Sequence, residues 1–399
     1  MSAGRAVALR PRRARTWQLG LVVGLAAGVV AEWIGRRAEA VARRGLVDWP
    51  LAEAIAAKRL RAAQGALDPT ELTAVEPAWA DIMARIVPRL EARLGRPLPG
   101  VVERHAVVDR AGWAAANMGT FRELVARLEA SLLGERPPSP GFGASIAAFA
   151  NRFITTRQVG FLLGYLGTRV LGQYDVALLS AETSPGRLLF VEENIRQTAR
   201  QLDVPLAEMR TWIALHETTH AFEFEAHPWL RPYLAERLER QLASFLEEAN
   251  TFRVEGVAEL VRRWRRDDAD ALSALLSPEQ RRLMREVQVV MSLLEGFSDW
   301  MMDAVGAELM ADVATVRVRF EARRAAPRKG LERLVARLTG LDLKLEQYRR
   351  GERFVAGVAA GGGEVALDRL WSGPEALPSE AELADPAAWL RRVVPAARA

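Results

Sequence analysis

"TWIALHETTHAFEFEAHPWL" (residues 211–230) contains His-Glu-Thr-Thr-His, and this short motif decides how the sequence is interpreted. On a helix, residues four apart share one face, so His216 and His220 would point the same way, one turn apart. Two imidazoles in that arrangement can bind one Zn²⁺ at about 2.0–2.1 Å each. Glu217 is one position further round, where its carboxylate can reach a metal-bound water without ligating the metal. The pattern predicts a metal site with Glu217 as general base.

The third ligand must come from another part of the chain, because one helix supplies only two. One known arrangement needs Gly three residues after the second His and a further His three residues later. Here Glu223 occupies the first position, and His227 is one residue past the second. The alternative is a Glu on a second helix, and "LLEGFSDWMMDAVG" (293–306) provides Glu295 with Asp299 one turn further on. We expect Glu295 to ligate the metal and Asp299 to accept the N–H of a ligating His.

The competing interpretation is an ordinary amphipathic helix on which these five residues occur together by chance. The chain has only 4 histidines, so a chance His-Glu-x-x-His is rare. The residues TWIAL before the motif and AF after it are apolar, as a buried active-site helix requires. The flanks favour the metal site.

Two tyrosines are further candidate catalytic residues. Tyr174 in "GQYD" and Tyr348 in "EQYRRGERF" are two of the 4 tyrosines in the chain. Either could donate a hydrogen bond to an oxyanion at the metal. Structural hydrogen bonding is the more common use of a buried tyrosine, so both uses stay open.

Composition limits the kind of protein and the kind of metal site. The chain has 399 residues, 50% of them hydrophobic, which is enough for a large core. It has no cysteine, so a metal must be held by His and carboxylate, and a reducing cytoplasm is the expected compartment. The net charge of +5 equals the contribution of five arginines near the start of the chain, so we expect no nucleic-acid partner. These arginines are Arg5, Arg10, Arg12, Arg13 and Arg15.

The first 46 residues are interpreted as an extension to a main domain at 47–395. A basic cluster is followed by an apolar run at 19–31, which is shorter than the roughly 20 residues that a bilayer span needs. The run could be a helix docked on or buried in the protein, a membrane anchor, or a cleaved signal. Membrane contact through residues 17–35 is therefore left open.

Most of the main domain has apolar residues at helical spacing, which predicts a mainly α fold with a small sheet. "ERPPSPGFG" (135–143) is rich in Pro and Gly and marks a loop or subdomain boundary. "GRLLFVEENI" (186–195) is the clearest strand. It could be an edge strand that pairs with an extended substrate, or a core strand. The segment 358–386 is rich in Gly and Pro, and we expect it to be irregular.

The chain resembles the zincin-like metallopeptidase family, once described as a domain of unknown function. One branch of that family is labelled as associated with coenzyme F420 biosynthesis. The resemblance extends over roughly residues 47–393. Its matching stretches are "VDWPLAEAIA" (47–56), "GYLGTRVLGQYDVAL" (164–178), "LLFVEENI" (188–195), "TWIALHETTHAFEFEAHPWLR" (211–231), "LLEGFSDWMMDAVG" (293–306), "LDLKLEQYRRGERFV" (341–355) and "LDRLWSGPEALPSEAELADPAAWLRRV" (367–393).

The resemblance implies a mostly helical zincin-like fold. It also implies zinc at His216, His220 and Glu295, with Glu217 as the base. Phe297 is a departure, because the family often has His at that position, and any family role for a histidine there is in doubt.

We therefore expect a zinc-dependent hydrolase, most simply a metallopeptidase that acts on a peptide or small amide. Glu217 would take a proton from the attacking water and return it to the leaving amine. Two alternatives stay open: a catalytically silent binding or scaffold protein that keeps its metal, and a hydrolase of a non-peptide amide or ester. Two His and one Glu suit several divalent ions, so zinc is the expected metal but not the only candidate.

Overall fold

A computed structural model describes residues 45–100, 102–133, 142–174, 187–251, 277–325 and 344–394. The expectations for residues 17–35 lie outside the described residues. The chain divides into two compact units, one of Met1–Ala56 and Val125–Leu162, the other of Ala57–Leu124 and Leu163–Ala399. The boundary proposed at 135–143 falls within the first unit, largely on residues that are not described, and it stays a prediction.

The prediction of a mainly α fold with a small sheet is confirmed. In chain order, the elements up to residue 191 are α1 (Trp49–Ala62), α2 (Pro69–Ala74), α3 (Glu76–Leu94), β1 (His105–Val108), α4 (Arg110–Leu133), α5 (Phe142–Gly167), β2 (Gly172–Tyr174) and β3 (Leu188–Val191). The later helices are α6 (Glu192–Leu202), α7 (Leu206–Ala226), α8 (Leu230–Thr251), α9 (Pro278–Leu309), α10 (Val313–Ala325), α11 (Lys344–Leu370), α12 (Glu380–Ala384) and α13 (Pro386–Val393). Short 3-10 turns occur at Val102–Arg104 and Pro374–Ala376.

The three strands form one sheet in the order β1-β3-β2, with β1 parallel and β2 antiparallel to the central β3. All four side chains of β3 are buried. Of the two interpretations left open for 186–195, an edge strand that pairs with substrate does not apply to β3, because both of its edges are already hydrogen-bonded to neighbouring strands. The alternative interpretation, a core strand, is confirmed.

Helix α7, which carries the His-Glu-x-x-His motif, lies at the centre of the second unit. It packs against α3, α6, α9, α10 and the sheet. Side chains on nearly all of its faces are buried, as the apolar flanks of the motif predict. The helix ends at Ala226, and the capping residue His227 leaves the helical conformation, as expected for a residue before Pro228.

Helices α9 and α11 approach closely beside the third candidate ligand. A Cβ added at Gly296 would overlap the backbone of Gly351, and one added at Gly351 would overlap the carbonyl group of Ser292. Only glycines allow the two backbones to touch in this way. Glu295 precedes Gly296, so this crossing fixes the position of its turn of α9.

The segment 358–386 is more regular than its composition suggests. Helix α11 continues through its first part to Leu370, with a kink at Gly363, where φ is 62°. A Gly-rich run can stay helical where packing compensates for its low propensity, and Val358 and Ala366 are both fully buried there. Among the described residues, no helix has the length and apolar character needed to cross a bilayer.

Candidate metal centre

The motif forms the pair of imidazoles that helical geometry predicts. His216 and His220 lie one turn apart on α7, and their ring centroids are 4.6 Å apart. Both side chains are partly accessible, at 12% and 15% exposure, although the residues between and around them are mostly buried. Neither histidine is fully enclosed by the described residues.

Glu295 on α9 faces these two histidines. Its Oε2 is 3.8 Å from Nε2 of His216, and one donor atom from each of His216, His220 and Glu295 lies within 4.8 Å of the others. Two atoms that each bind one zinc ion at about 2.1 Å can be no more than about 4.2 Å apart. The His216–Glu295 distance meets that limit, and two imidazoles with one carboxylate are ligands that zinc accepts. The other donor separations are within 4.8 Å, so the three residues could hold a metal ion, and their donor atoms suit zinc.

His220 is oriented by Glu223, an acid that is not among the predicted site residues. Its Nδ1 is 2.7 Å from Oε2 of Glu223 and 3.2 Å from Oγ of Ser298, which leaves Nε2 for a metal. A carboxylate on the second ring nitrogen fixes the tautomer and raises the basicity of the ligand. In the sequence, the only signal for this role is a charged residue between two phenylalanines, Phe222 and Phe224. In the structure, Glu223 is fully buried at this position.

The site carries excess negative charge. Burial lowers the pKa of His220, but the carboxylates of Glu223, Glu295 and Glu217 outweigh it and raise that pKa to about 10. Burial raises the pKa of Glu223 to about 7, against the lowering effect of His220. The negative charges that hold this proton also attract other cations. A divalent metal ion can therefore take the place of the proton.

Glu217 faces the small sheet. One carboxylate oxygen, Oε2, accepts a hydrogen bond from the backbone N–H of Tyr174 on β2, at 3.1 Å. Glu217 follows the ligand His216 directly and is partly accessible. The predicted base therefore lies beside the three candidate ligands, with part of its carboxylate held by backbone.

The hydroxyl of Tyr174 bonds to Glu225 and Arg231, and its ring is buried. Burial and the bond to Glu225 raise the pKa of this hydroxyl above its ordinary value. These contacts are typical of a tyrosine that stabilises the fold. Tyr174 binds Glu217 through its backbone amide and not through its hydroxyl. The side chain of Tyr348 lies outside the described residues, so its catalytic role stays a prediction.

Asp299 and Phe297 lie on α9 with Glu295. Glu223 already accepts the hydrogen bond from the N–H of His220. The prediction that Asp299 accepts a hydrogen bond from a ligating histidine therefore stays open only for His216. The charge of Asp299 contributes to the raised pKa of Arg317, for which burial is the larger, opposing effect. Phe297 is buried and packs edge-on against Trp371 with centroids 5.5 Å apart, so this position belongs to the core.

The other two histidines have separate positions. Nδ1 of His227 is 2.7 Å from the carbonyl oxygen of Glu223, and its ring stacks on Trp371. Nδ1 of His105 is 3.1 Å from the carbonyl oxygen of Val102, at the start of β1. Each of these ring nitrogens faces a carbonyl, so each donates its proton there, as a structural histidine does.

Comparison with known proteins agrees with the geometry. A family model described as zincin-like metallopeptidase matches residues 47–390, nearly the whole chain. A crystal structure from Chloroflexus aurantiacus, titled a "putative hydrolase with a novel fold", is 35% identical to the chain. The similarity covers 88% of this chain and 100% of that one, with a TM-score of 0.65. No curated protein matches the chain.

Proposed function

Because this chain belongs to the zincin-like metallopeptidase family, we propose that it is a zinc-dependent hydrolase that cleaves peptide bonds. The observation that carries the proposal is the cluster of His216, His220 and Glu295 next to Glu217. Family membership and the similarity to the Chloroflexus aurantiacus protein described as a "putative hydrolase" support hydrolysis as the general reaction. Zinc and the peptide substrate are the parts that we propose.

Five residues have roles in this proposal. His216, His220 and Glu295 would hold zinc, which, when bound, would lower the pKa of water and polarise a carbonyl group. Glu217 accepts the proton of the attacking water and later returns it to the leaving nitrogen. Glu223 holds the ring of His220 in one tautomer, so that the lone pair of Nε2 stays available to bind the metal.

The test starts with metal content and then turns to activity. The purified protein, His216→Ala, Glu295→Ala and the control His105→Ala are compared by plasma mass spectrometry. We expect about one zinc per chain in the wild type and in the control, and loss of zinc from the two ligand variants. Zinc kept by Glu295→Ala would show that the third ligand is a different residue, and a metal-free wild type would refute zinc dependence.

A peptide library then compares the wild type with Glu217→Gln, which should keep its zinc. We expect cleavage to fall by about 10²–10⁴ in the variant, because the proton acceptor is lost while the ligands remain. Zinc binding without cleavage of peptides, other amides or esters would favour the catalytically silent binding protein. Cleavage of non-peptide amides or esters alone would change the substrate class and leave the roles of the five residues unchanged.

A further inference from the structure

Strand β2 packs directly against the side chain of Glu217. A Cβ added at Gly172 would be 2.5 Å from Cγ of Glu217 and 2.9 Å from Cγ2 of Ile213, one turn earlier on α7. The φ of Gly172 is not in the left-handed region, so the contact is what requires glycine at this position. Two residues later, the N–H of Tyr174 donates to the Glu217 carboxylate. The strand therefore contacts both the aliphatic stem and the charged end of this side chain.

The pairing of β2 explains why this amide faces α7. The carbonyl oxygen of Leu171 accepts a hydrogen bond from the amide of Val191, so it faces β3. Backbone groups alternate between the two sides of a strand. Gln173 therefore also faces β3, and the backbone groups of Gly172 and Tyr174 face the other side, where Glu217 lies.

A second set of contacts fixes the strand along its length. The side chain of Gln173 accepts a hydrogen bond from Nε1 of Trp113 and donates one to Oδ1 of Asn117, at 2.7 Å. Asn117 in turn donates to the carbonyl oxygen of Trp113, at 2.8 Å. Trp113 and Asn117 are both buried on α4. Strand β2 is thus held between β3 and α4 and cannot slide without breaking these bonds.

We infer that β2 is the positioning element of the general base, with Gly172 as its key residue and the Tyr174 amide as its hydrogen-bond donor. The inference rests on the proposed function, because it concerns the base of that reaction. A glutamate has three rotatable side-chain bonds, whereas a catalytic group must be held to within about 0.5 Å. Contact with Gly172 limits the stem, and the amide holds Oε2, so the carboxylate stays beside the ligands.

Hydrogen exchange in the metal-free protein tests the contact itself. Residue-resolved mass spectrometry follows the Tyr174 amide in the wild type, in Glu217→Ala and in Glu217→Gln. We expect roughly tenfold or faster exchange in Glu217→Ala, because the acceptor is lost, and near wild-type exchange in Glu217→Gln, whose amide oxygen can still accept. Unchanged exchange in Glu217→Ala would overturn the inference, since the amide would then be protected by another group.

The role of Gly172 is tested with a matched glycine. Gly172→Ala is compared with Gly119→Ala on α4, where an added Cβ meets nothing within 4 Å. We expect Gly172→Ala to speed exchange of the Tyr174 amide, while Gly119→Ala exchanges like the wild type. Equal exchange in the two variants would show that contact with Gly172 does not control the carboxylate.

Cobalt-loaded protein gives a second readout that needs no substrate. The pH midpoint of the visible Co²⁺ spectrum is measured in the wild type, Gly172→Ala, Gly119→Ala and Glu217→Gln. We expect Gly172→Ala to bind about one Co²⁺ per chain and to shift its midpoint in the same direction as Glu217→Gln. A wild-type midpoint in Gly172→Ala, or loss of its cobalt, would contradict a positioning role for the base. If the wild type binds no metal, the proposed function fails, and the exchange experiment still decides whether β2 holds Glu217.

Discussion

Two clusters of carboxylates lie on or beside α7, and they are neutralised in different ways. The arginine-paired cluster contains Glu192 and Glu193 at the start of α6. Glu192 is fully buried and bonds to Arg196, Arg210 and Nε1 of Trp79. Glu193 accepts from the backbone amide of Arg110, whose buried guanidinium is 3.6 Å away. Guanidinium groups provide most of the compensating charge here.

The imidazole-paired cluster begins six residues after Arg210, at the metal motif. Here Glu223 bonds to His220, and Glu295 faces His216. The carboxylate of Glu217 is held by a backbone amide. In this cluster the partners of Glu223 and Glu295 are imidazoles, whereas the carboxylates of the arginine-paired cluster have guanidinium partners.

The difference between the clusters explains why only one of them suits a metal. A guanidinium stays protonated at any ordinary pH and has no lone pair to offer. An imidazole can release its proton and then bind a cation through the same nitrogen. The arginine-paired cluster is therefore a permanent part of the fold, whereas the imidazole-paired cluster can exchange a proton for a metal ion.

The largest expected effect comes from breaking the arginine-paired cluster. In Arg110→Met the charge of Glu193 stays buried, and Asn194 and Gln197 lose their hydrogen-bond donor. We expect the free energy of unfolding in urea to fall by about 3–5 kcal/mol, the usual cost of a buried charge without its partner. The exposed Arg200→Met should change it by less than about 0.5 kcal/mol.

A double variant separates charge from packing in this experiment. Adding Glu193→Gln to Arg110→Met removes the uncompensated charge, so part of the lost stability should return. Zinc content of the folded variants should stay at the wild-type level. A loss below about 1 kcal/mol in the single variant would show that the carboxylate of Glu193 does not depend on this guanidinium.

The sequence predicts contacts within one helix better than contacts between elements. The shared face of His216 and His220 follows from their spacing alone. Glu295 follows from elimination and from its position in a second helical segment, and the family resemblance supports it. The contact of Gly172 with Glu217 joins residues 45 positions apart and depends on how β2 crosses α7, which no local pattern encodes.

One undecided strand and one missed contact have the same origin. The sequence of the β3 segment fits an edge strand and a core strand equally well, because a short apolar run is compatible with both; only the pairing of β3 with β1 and β2 decides. In the sequence, Glu223 stands out only as a mismatch to a different metal pattern. Its bond to His220 is an i, i+3 contact that helical spacing allows, but its full burial depends on tertiary packing.

A third histidine gives a smaller effect and sharpens the comparison. His227 is seven residues after His220, but its partner is a carbonyl oxygen rather than a carboxylate. Burial lowers its pKa from 6.5 to about 4, against the raising effect of that hydrogen bond. The unfolded chain therefore takes up a proton at a higher pH than the folded protein does. The stability that this residue contributes is complete above about pH 6.5 and is lost as the pH falls toward 4.

The measurement is the free energy of unfolding of the wild type and His227→Gln across this pH range. We expect the wild type to lose up to about 3 kcal/mol relative to the variant between pH 6.5 and pH 4. Subtracting the two curves removes the titration of all groups that they share. Parallel curves would mean that the pKa of His227 is the same in the folded protein as in the unfolded chain, which would contradict the effect of burial.

The smallest expected effect concerns the acid that distinguishes the imidazole-paired cluster. Glu223→Gln keeps the size of the side chain but replaces the carboxylate that orients His220. We expect zinc to bind about 10–100-fold more weakly, or about 1.4–2.7 kcal/mol, measured by competition with a chelating dye. Glu225→Gln is the matched control, since Glu225 lies on the same helix and pairs with Arg231. Equal affinities in the two variants would show that zinc binding does not depend on the carboxylate of Glu223, and that other groups, such as Ser298, are enough to orient the ring of His220.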